Sequence, residues 1–165
     1  MDMMEEIRRC AKECFEEDDS RKIGRFLELA AKKTLLELQE NYCASFDLNP
    51  STCLNLTYHK HGDGKERGAA LARLREEYEC SGHETATSEL PDFLPLVFEF
   101  LSICDENQFR IILNDYSTAV NEIGLRLKGE GSDYSLLFDV ISGMTCDMSV
   151  KRNAPAGTIT KPSPR

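Results

Sequence analysis

Apolar residues recur every three or four positions through most of this 165-residue chain, which is the spacing of one face of an α-helix. Two stripes illustrate the pattern, and we expect both to face a common core. The first comprises Met3, Ile7, Cys10, Cys14 and Phe15, and the second comprises Phe109, Ile112, Leu113, Tyr116, Val120, Ile123 and Leu127. The sequence therefore predicts an all-α fold, arranged as a single bundle of six or seven helices.

Helix boundaries are predicted from residues that favour helix starts. Ser, Thr and Asp cap helix N-termini, a Glu three residues later strengthens the signal, and Pro suits the first turn. Four such signals occur, at Ser20, Thr34-x-x-Glu37, Asp63-x-x-Glu66 and Pro91. Between them, Leu54, Leu56 and Tyr58 alternate with polar residues as in a strand. A lone strand would lack a partner, so we expect a short helix or an irregular turn there.

Charge is distributed unevenly along the chain. The whole sequence has 20 basic and 29 acidic residues, a formal charge of −9. Residues 151–165 hold four basic residues and no acid, which leaves 16 basic against 29 acidic residues in 1–150, a charge of −13. We expect 1–150 to form the domain and 151–165 to be a disordered basic tail. An acidic body argues against nucleic acid and anionic membranes and would attract a basic peptide, although acidity also serves solubility alone.

Cysteine usage and the apolar runs indicate a reduced, cytoplasmic protein. The seven cysteines have no framework spacing, and we expect reduced thiols that pack mostly as small apolar residues. The acidic N-terminus lacks the apolar core of a signal peptide. The longest apolar stretch, 93–98, is far shorter than the ~20 residues of a membrane span, so stable membrane insertion is not expected.

Candidate catalytic and metal-binding motifs are weak. The run Gly62-Asp63-Gly64-x-x-x-Gly68 has the wrong spacing for a dinucleotide fingerprint, and no nucleophile–base arrangement occurs. We therefore predict no enzymatic activity, no cofactor and no metal. One alternative from another functional class stays open, a small zinc-binding helical regulatory domain. Its ligands would come from His59, His61, Cys80 and His83.

Several sequence blocks carry a resemblance to a known family. They include Tyr42-Cys-Ala-Ser-Phe46-Asp47, His61-Gly62-Asp63-x-x-x-Arg67-Gly68, Glu89-Leu90-Pro91-Asp92 and Ser132-Asp-Tyr134-Ser-Leu-Leu-Phe138-Asp139, in order over about 34–141. The chain resembles the TorD/DmsD/NarJ redox-enzyme maturation chaperones, and among them the NarJ-type nitrate reductase molybdenum cofactor assembly chaperones. The resemblance implies a cytoplasmic, monomeric helical chaperone that binds the N-terminal signal-like peptide of an apo molybdoenzyme catalytic subunit and holds it for cofactor insertion.

The resemblance also directs attention to a set of candidate peptide-binding residues. These are Tyr42, Phe46, Asp47, Tyr58, His61, Glu89, Pro91 and Asp92. Asp92 has a second interpretation, as a favourable charge at a helix N-terminus. The chain departs from the family in having Phe93 where a His commonly follows Pro-Asp, and in lacking a recognisable opening element before Ser20. The client could therefore be another molybdoenzyme of the DMSO-reductase type.

Overall fold

A computed structural model describes residues 3–82 and 88–151, the last seven of these as helical backbone only. The described ranges contain eight α-helices and one π-helical turn, Cys43–Asp47. The α-helices are α1 Met3–Cys14, α2 Glu17–Ala30, α3 Leu35–Tyr42, α4 Leu56–His61, α5 Lys65–Cys80, α6 Leu94–Leu101, α7 Glu106–Gly129 and α8 Ser135–Lys151. The predicted all-α fold is confirmed, with eight helices in place of six or seven. None of the helices within these ranges is both long enough and apolar enough to cross a membrane.

The long helix α7 organises the core. Its buried residues pack with α5, α6 and α8 into one hydrophobic cluster, so the stripe predicted around Tyr116 does face the interior. Gly124 lets α7 and α8 approach closely, because a Cβ placed there would lie 3.1 Å from the Cβ of Phe138. The rings of Tyr78 and Phe100 lie 4.5 Å apart, which joins α5 to α6.

One predicted helix start is confirmed and three lie at other residues. Thr34 and Glu37 form the complete capping box that starts α3. In contrast, α2 begins at Glu17 rather than at Ser20, α5 begins at Lys65 without a capping bond from Asp63, and α6 begins at Leu94 rather than at Pro91. Gly62 ends α4 at φ +56°, a backbone conformation that favours glycine. The turn that follows Gly62 includes Asp63, which therefore lies outside α5.

Helix α1 differs from its prediction. It packs against α2, but Ala11 is its buried residue, whereas Met3 is 72% and Ile7 43% exposed. Cys10 and Cys14 are exposed as well, so the stripe does not face the core. The expectation of mostly buried thiols is also wrong for Cys43 and Cys80, which are exposed, while Cys53 and Cys104 are half-buried.

The predicted basic tail, 151–165, lies outside the described residues except for Lys151, where α8 ends. The boundary between domain and tail therefore stays a prediction.

Candidate functional site

Two segments that are distant in sequence, 54–56 and 92–94, meet through a short backbone pairing. The N–H of Leu56 donates to the carbonyl of Asp92 at 3.1 Å, and the N–H of Leu94 donates to the carbonyl of Leu54 at 2.9 Å. This isolated antiparallel bridge lies just before α4 and α6. The alternation at 54–58 thus reflects one bridge followed by a short helix, so the prediction of a short helix or an irregular turn there is confirmed by the helix.

The side chain of Asp92 is completely buried and caps α4 from a distant part of the chain. Its Oδ2 accepts the Thr57 N–H at 3.0 Å and the Thr57 hydroxyl at 2.5 Å, while its Oδ1 accepts the Asn55 side-chain amide at 3.1 Å. Asn55 is the N-cap of α4 and makes no capping bond through its own side chain. A carboxylate at a helix N-terminus satisfies free N–H groups and interacts favourably with the helix dipole. Asp92 does this for α4.

Arg67 extends this arrangement into α5. Its Nε donates to the Thr57 hydroxyl oxygen at 3.3 Å, so Thr57 accepts from Arg67 and donates to Asp92. The Arg67 guanidinium also lies 3.7 Å from Asp63 and 5.5 Å from the ring centroid of Tyr58. We call Asn55, Thr57, Arg67 and Asp92 the buried network, because it connects the His61–Gly68 block to the Glu89–Asp92 block.

Two buried tyrosines lie beside the network. The Tyr78 hydroxyl donates to the carbonyl of Pro91 at 2.7 Å, which fixes the loop before α6. Burial, with a smaller contribution from nearby phenol and carboxylate groups, raises the pKa of Tyr78. Burial likewise raises the pKa of Tyr116 to about 12, with Asp115 and Asp92 contributing in the same direction. Both phenols are therefore neutral at physiological pH.

A groove of about 300 Å³ lies between α4, α5 and α7, and we call it the α4–α5–α7 groove. Its apolar floor combines small and large side chains: Ala69, Ala70, Leu74, Ile111, Ile112 and Tyr116. The charged side chains on its walls are Glu66, Glu77, Asp115, Lys60 and Arg73. Ile111 is 48% exposed, which leaves apolar surface open to a ligand. An apolar floor with charged walls suits an amphipathic peptide helix.

The structure separates the predicted peptide-binding residues into three groups. Phe46, Pro91 and Asp92 are buried, and their contacts lie within the fold. His61 is half-buried and lines the α4–α5–α7 groove, and Tyr58 is half-buried beneath the Arg67 guanidinium.

The third group lies on another surface. Tyr42 is half-buried, with its ring 5.2 Å from Phe46 and 6.4 Å from Tyr134. Burial raises the pKa of Tyr42, and the negative charges of Asp47 and Glu89, both exposed, raise it further. We call Tyr42, Asp47 and Glu89 the tyrosine–acid face.

Sequence reasoning missed the groove residues on α5 and α7. Glu77 and Asp115 were not among the candidate residues, although both line the groove. A signal was present at Ile111, which adds an apolar residue directly beside Ile112 and so widens the apolar face of α7 beyond what one core requires.

The candidate zinc ligands are not brought together in the part of the chain that the structure describes. His59 directs Nε2 toward the carbonyl of Cys53 at 2.7 Å and lies 3.6 Å from its sulfur. The described ranges contain no group of three or more His, Cys, Asp or Glu side chains that could hold a metal ion. His83 lies outside these ranges.

Comparison with known proteins gives consistent matches. The family model described as nitrate reductase delta subunit matches residues 12–127, which include the whole buried network and the α4–α5–α7 groove. The chain is 32% identical over 132 residues to the probable nitrate reductase molybdenum cofactor assembly chaperone NarJ of Bacillus subtilis (strain 168), covering 80% of this chain and 72% of that protein.

Two relatives from Escherichia coli (strain K12) are also similar. NarJ, the nitrate reductase molybdenum cofactor assembly chaperone, is 32% identical over 124 residues, covering 75% of this chain and 52% of that protein. The probable chaperone NarW is 36% identical over 107 residues, covering 65% of this chain and 46% of that protein. The chain thus spans about half the length of the two Escherichia coli relatives.

Proposed function

This chain belongs to the nitrate reductase delta subunit family, and from that premise we propose that it is a maturation chaperone for a molybdoenzyme catalytic subunit. We propose nitrate reductase as the client, because the relatives named above are chaperones of that enzyme. In this role the chain binds the N-terminal peptide of the apo catalytic subunit in the cytoplasm, as a monomer, and holds the subunit for molybdenum cofactor insertion. The role requires binding and no catalysis.

The α4–α5–α7 groove is the observation that carries the proposal. Its floor offers the apolar contact that an amphipathic helix needs, and Ile111 leaves part of that surface exposed. Glu77 and Asp115 can pair with basic residues of the peptide, and the acidic chain would accelerate its encounter. Apolar contact would supply most of the affinity, since surface ion pairs contribute only about 0–1 kcal/mol each.

Of the eight predicted peptide-binding residues, we retain His61 as a direct contact within the groove. Glu89 and Asp47, on the tyrosine–acid face, are the competing location for the peptide. The burial of Asp92 makes its substitution a test of folding rather than of binding.

The test measures binding of a synthetic peptide that copies the N-terminus of the nitrate reductase catalytic subunit from the same organism. Isothermal titration calorimetry should give saturable binding that weakens with added salt without disappearing, because salt screens charges beyond about 8 Å but not apolar contact. The double variant Glu77→Lys, Asp115→Lys should bind on the order of ten-fold more weakly.

The matched control is Asp47→Lys, Glu89→Lys, which changes the net charge by the same amount on the tyrosine–acid face. It should lower the affinity by no more than about two-fold, an effect of long-range charge alone. If this control loses binding and the groove variant does not, the peptide site lies on the tyrosine–acid face. If the wild-type chain does not bind the peptide, nitrate reductase is not its client.

If the client is another molybdoenzyme, the wild-type chain will not bind the nitrate reductase peptide but will still be a maturation chaperone. Peptides from other DMSO-reductase-type catalytic subunits of the same organism test that alternative. The zinc-binding regulatory domain is tested separately, by elemental analysis of the purified protein, which we expect to contain well under one zinc per chain.

A further inference from the structure

A second and larger groove lies between α1 and α2, away from the α4–α5–α7 groove. It has a volume of about 670 Å³ and is lined by residues of both helices and of the turn between them. Its basic residues are Arg8 and Lys12 on α1 and Arg21 and Arg25 on α2. Glu17 and Glu28 also line it, which leaves a positive balance in a chain whose formal charge is −9. We call it the α1–α2 groove.

The two basic residues on α1 are available to a ligand. Arg21 is paired with Asp18, and Arg25 lies 3.3 Å from Glu28. Arg8 and Lys12, by contrast, have no ion pair within the described residues. Residues four apart lie about one turn, or roughly 6 Å, apart along a helix. Acidic residues four apart on a partner helix have the same spacing as Arg8 and Lys12.

Gly24 keeps the groove open from the α2 side. It lies in the interior of a helix, where glycine costs roughly 0.5–1 kcal/mol relative to alanine. Packing within the described fold does not require it, because a Cβ at Gly24 would meet no atom within 4 Å. A side chain at this position would project into the groove that Gly24 lines. Phe15, half-buried in the same groove, offers apolar contact.

We propose that the α1–α2 groove is a docking site for an acidic amphipathic helix of another protein. Carboxylates of that helix pair with Arg8 and Lys12, and its apolar side packs on Phe15 over Gly24. Charge complementarity selects this occupant, because the groove is positive while the client peptide proposed above is basic. The two sites therefore bind partners of opposite charge on different parts of the molecule.

The experiment uses a synthetic 18-residue helical peptide with glutamates four residues apart beside a leucine stripe. A reference peptide has lysine at each glutamate position. Fluorescence anisotropy should show saturable, salt-sensitive binding of the acidic peptide to the full chain and at least about ten-fold weaker binding of the lysine peptide. The charge variant Arg8→Glu, Lys12→Glu should weaken the acidic peptide about ten-fold, and it breaks no ion pair within the described residues.

A steric variant tests the same groove without changing charge. Gly24→Met introduces a better helix former into open space, so the fold should persist while the groove is blocked and affinity falls about ten-fold. Gly68→Met is the matched control, because Gly68 is also helical, also meets no atom within 4 Å, and lies outside the groove. Lys65→Glu, Arg75→Glu is the corresponding charge control, and both controls should stay within about two-fold of wild type.

The possible outcomes separate this proposal from the chaperone role. Circular dichroism establishes that each variant is folded, and binding of the basic client peptide should be unchanged by Gly24→Met. The α1–α2 proposal is overturned if the acidic peptide does not bind the wild-type chain, or if it binds the charge and steric variants of the groove as well as it binds wild type.

Discussion

Replacing Asp92 by alanine should destabilise the fold more than any other single removal of a carboxylate. The change leaves three donors of Thr57 and Asn55 without their acceptor at a position with 0% exposure. Hydrogen bonds to charged groups contribute about 1.5–3 kcal/mol each, and part of this is offset because the buried carboxylate is no longer desolvated. We expect a net loss of about 3–5 kcal/mol, a large share of the 5–15 kcal/mol typical of a domain.

Asp92→Asn keeps the shape and should cost less. The amide oxygen can still accept both donors of Thr57, and the Asn55 amide can rotate to present its oxygen to the new NH₂ group. The expected cost is about 1–2 kcal/mol, the difference between charge-assisted and neutral hydrogen bonds. The difference between the alanine and asparagine variants therefore measures the unsatisfied donors rather than the lost charge.

Urea denaturation followed by circular dichroism at 222 nm measures these free energies of unfolding. Asp105 provides the matched control, because it caps α7 in an exposed position, with bonds of 2.8 and 2.9 Å to the N–H groups of Asn107 and Gln108. Asp105→Ala should cost about 1 kcal/mol. If Asp92→Ala costs no more than Asp105→Ala, then burial does not amplify the loss and the reasoning fails.

Three further predictions concern stability. Gly124→Ala should destabilise the protein by about 1 kcal/mol in urea denaturation, because the new Cβ would lie 3.1 Å from Phe138. Gly68→Ala, in open space, should stabilise it by about 0.5–1 kcal/mol. Equal effects of the two substitutions would contradict the close approach of α7 and α8. The pKa of Tyr116 is raised from 10.0 to about 12. Its protonated phenol therefore contributes to the free energy of unfolding in full below pH 10, and this contribution is lost as the pH rises through 12. Tyr116→Phe should remove this contribution, on the order of 2–3 kcal/mol, from the alkaline unfolding profile, and an unchanged profile would argue against it. Thr34→Ala removes the capping box of α3 and should cost about 1 kcal/mol in the same urea assay, a result that an unaffected midpoint would contradict.

Periodicity was sufficient to predict the helices but not their first residues. The stripe on α7 is long enough to define both the helix and its buried face, and the capping box at Thr34 is a reciprocal pair in which two residues mark the same helix start. A lone candidate cap is weaker evidence, since Ser20 lies within α2 and Asp63 lies in the turn after Gly62. Those positions depend on backbone geometry that one residue type does not specify.

Periodicity also does not identify what covers an apolar face. The stripe of α1 has the same spacing as the stripe of α7, yet Met3 and Ile7 are exposed. Asp92 presents the opposite case, because aspartate is rarely buried unless it is paired. Its partner Thr57 lies 35 residues away, a separation that no local pattern in one sequence encodes.

The residues that reveal the family are therefore mostly not the residues that we propose to contact the client. Asp92 and Arg67 lie in two of the sequence blocks that carry the resemblance, and both contact Thr57, at the start of α4. The opposite end of α4 supplies Lys60 and His61 to the groove, while α5, which contains Arg67, supplies another wall. The buried network thus fixes the angle between two walls of the α4–α5–α7 groove without reaching its surface. The two motifs therefore hold the scaffold behind the groove, whereas the client contacts that we propose lie on the side chains of its walls.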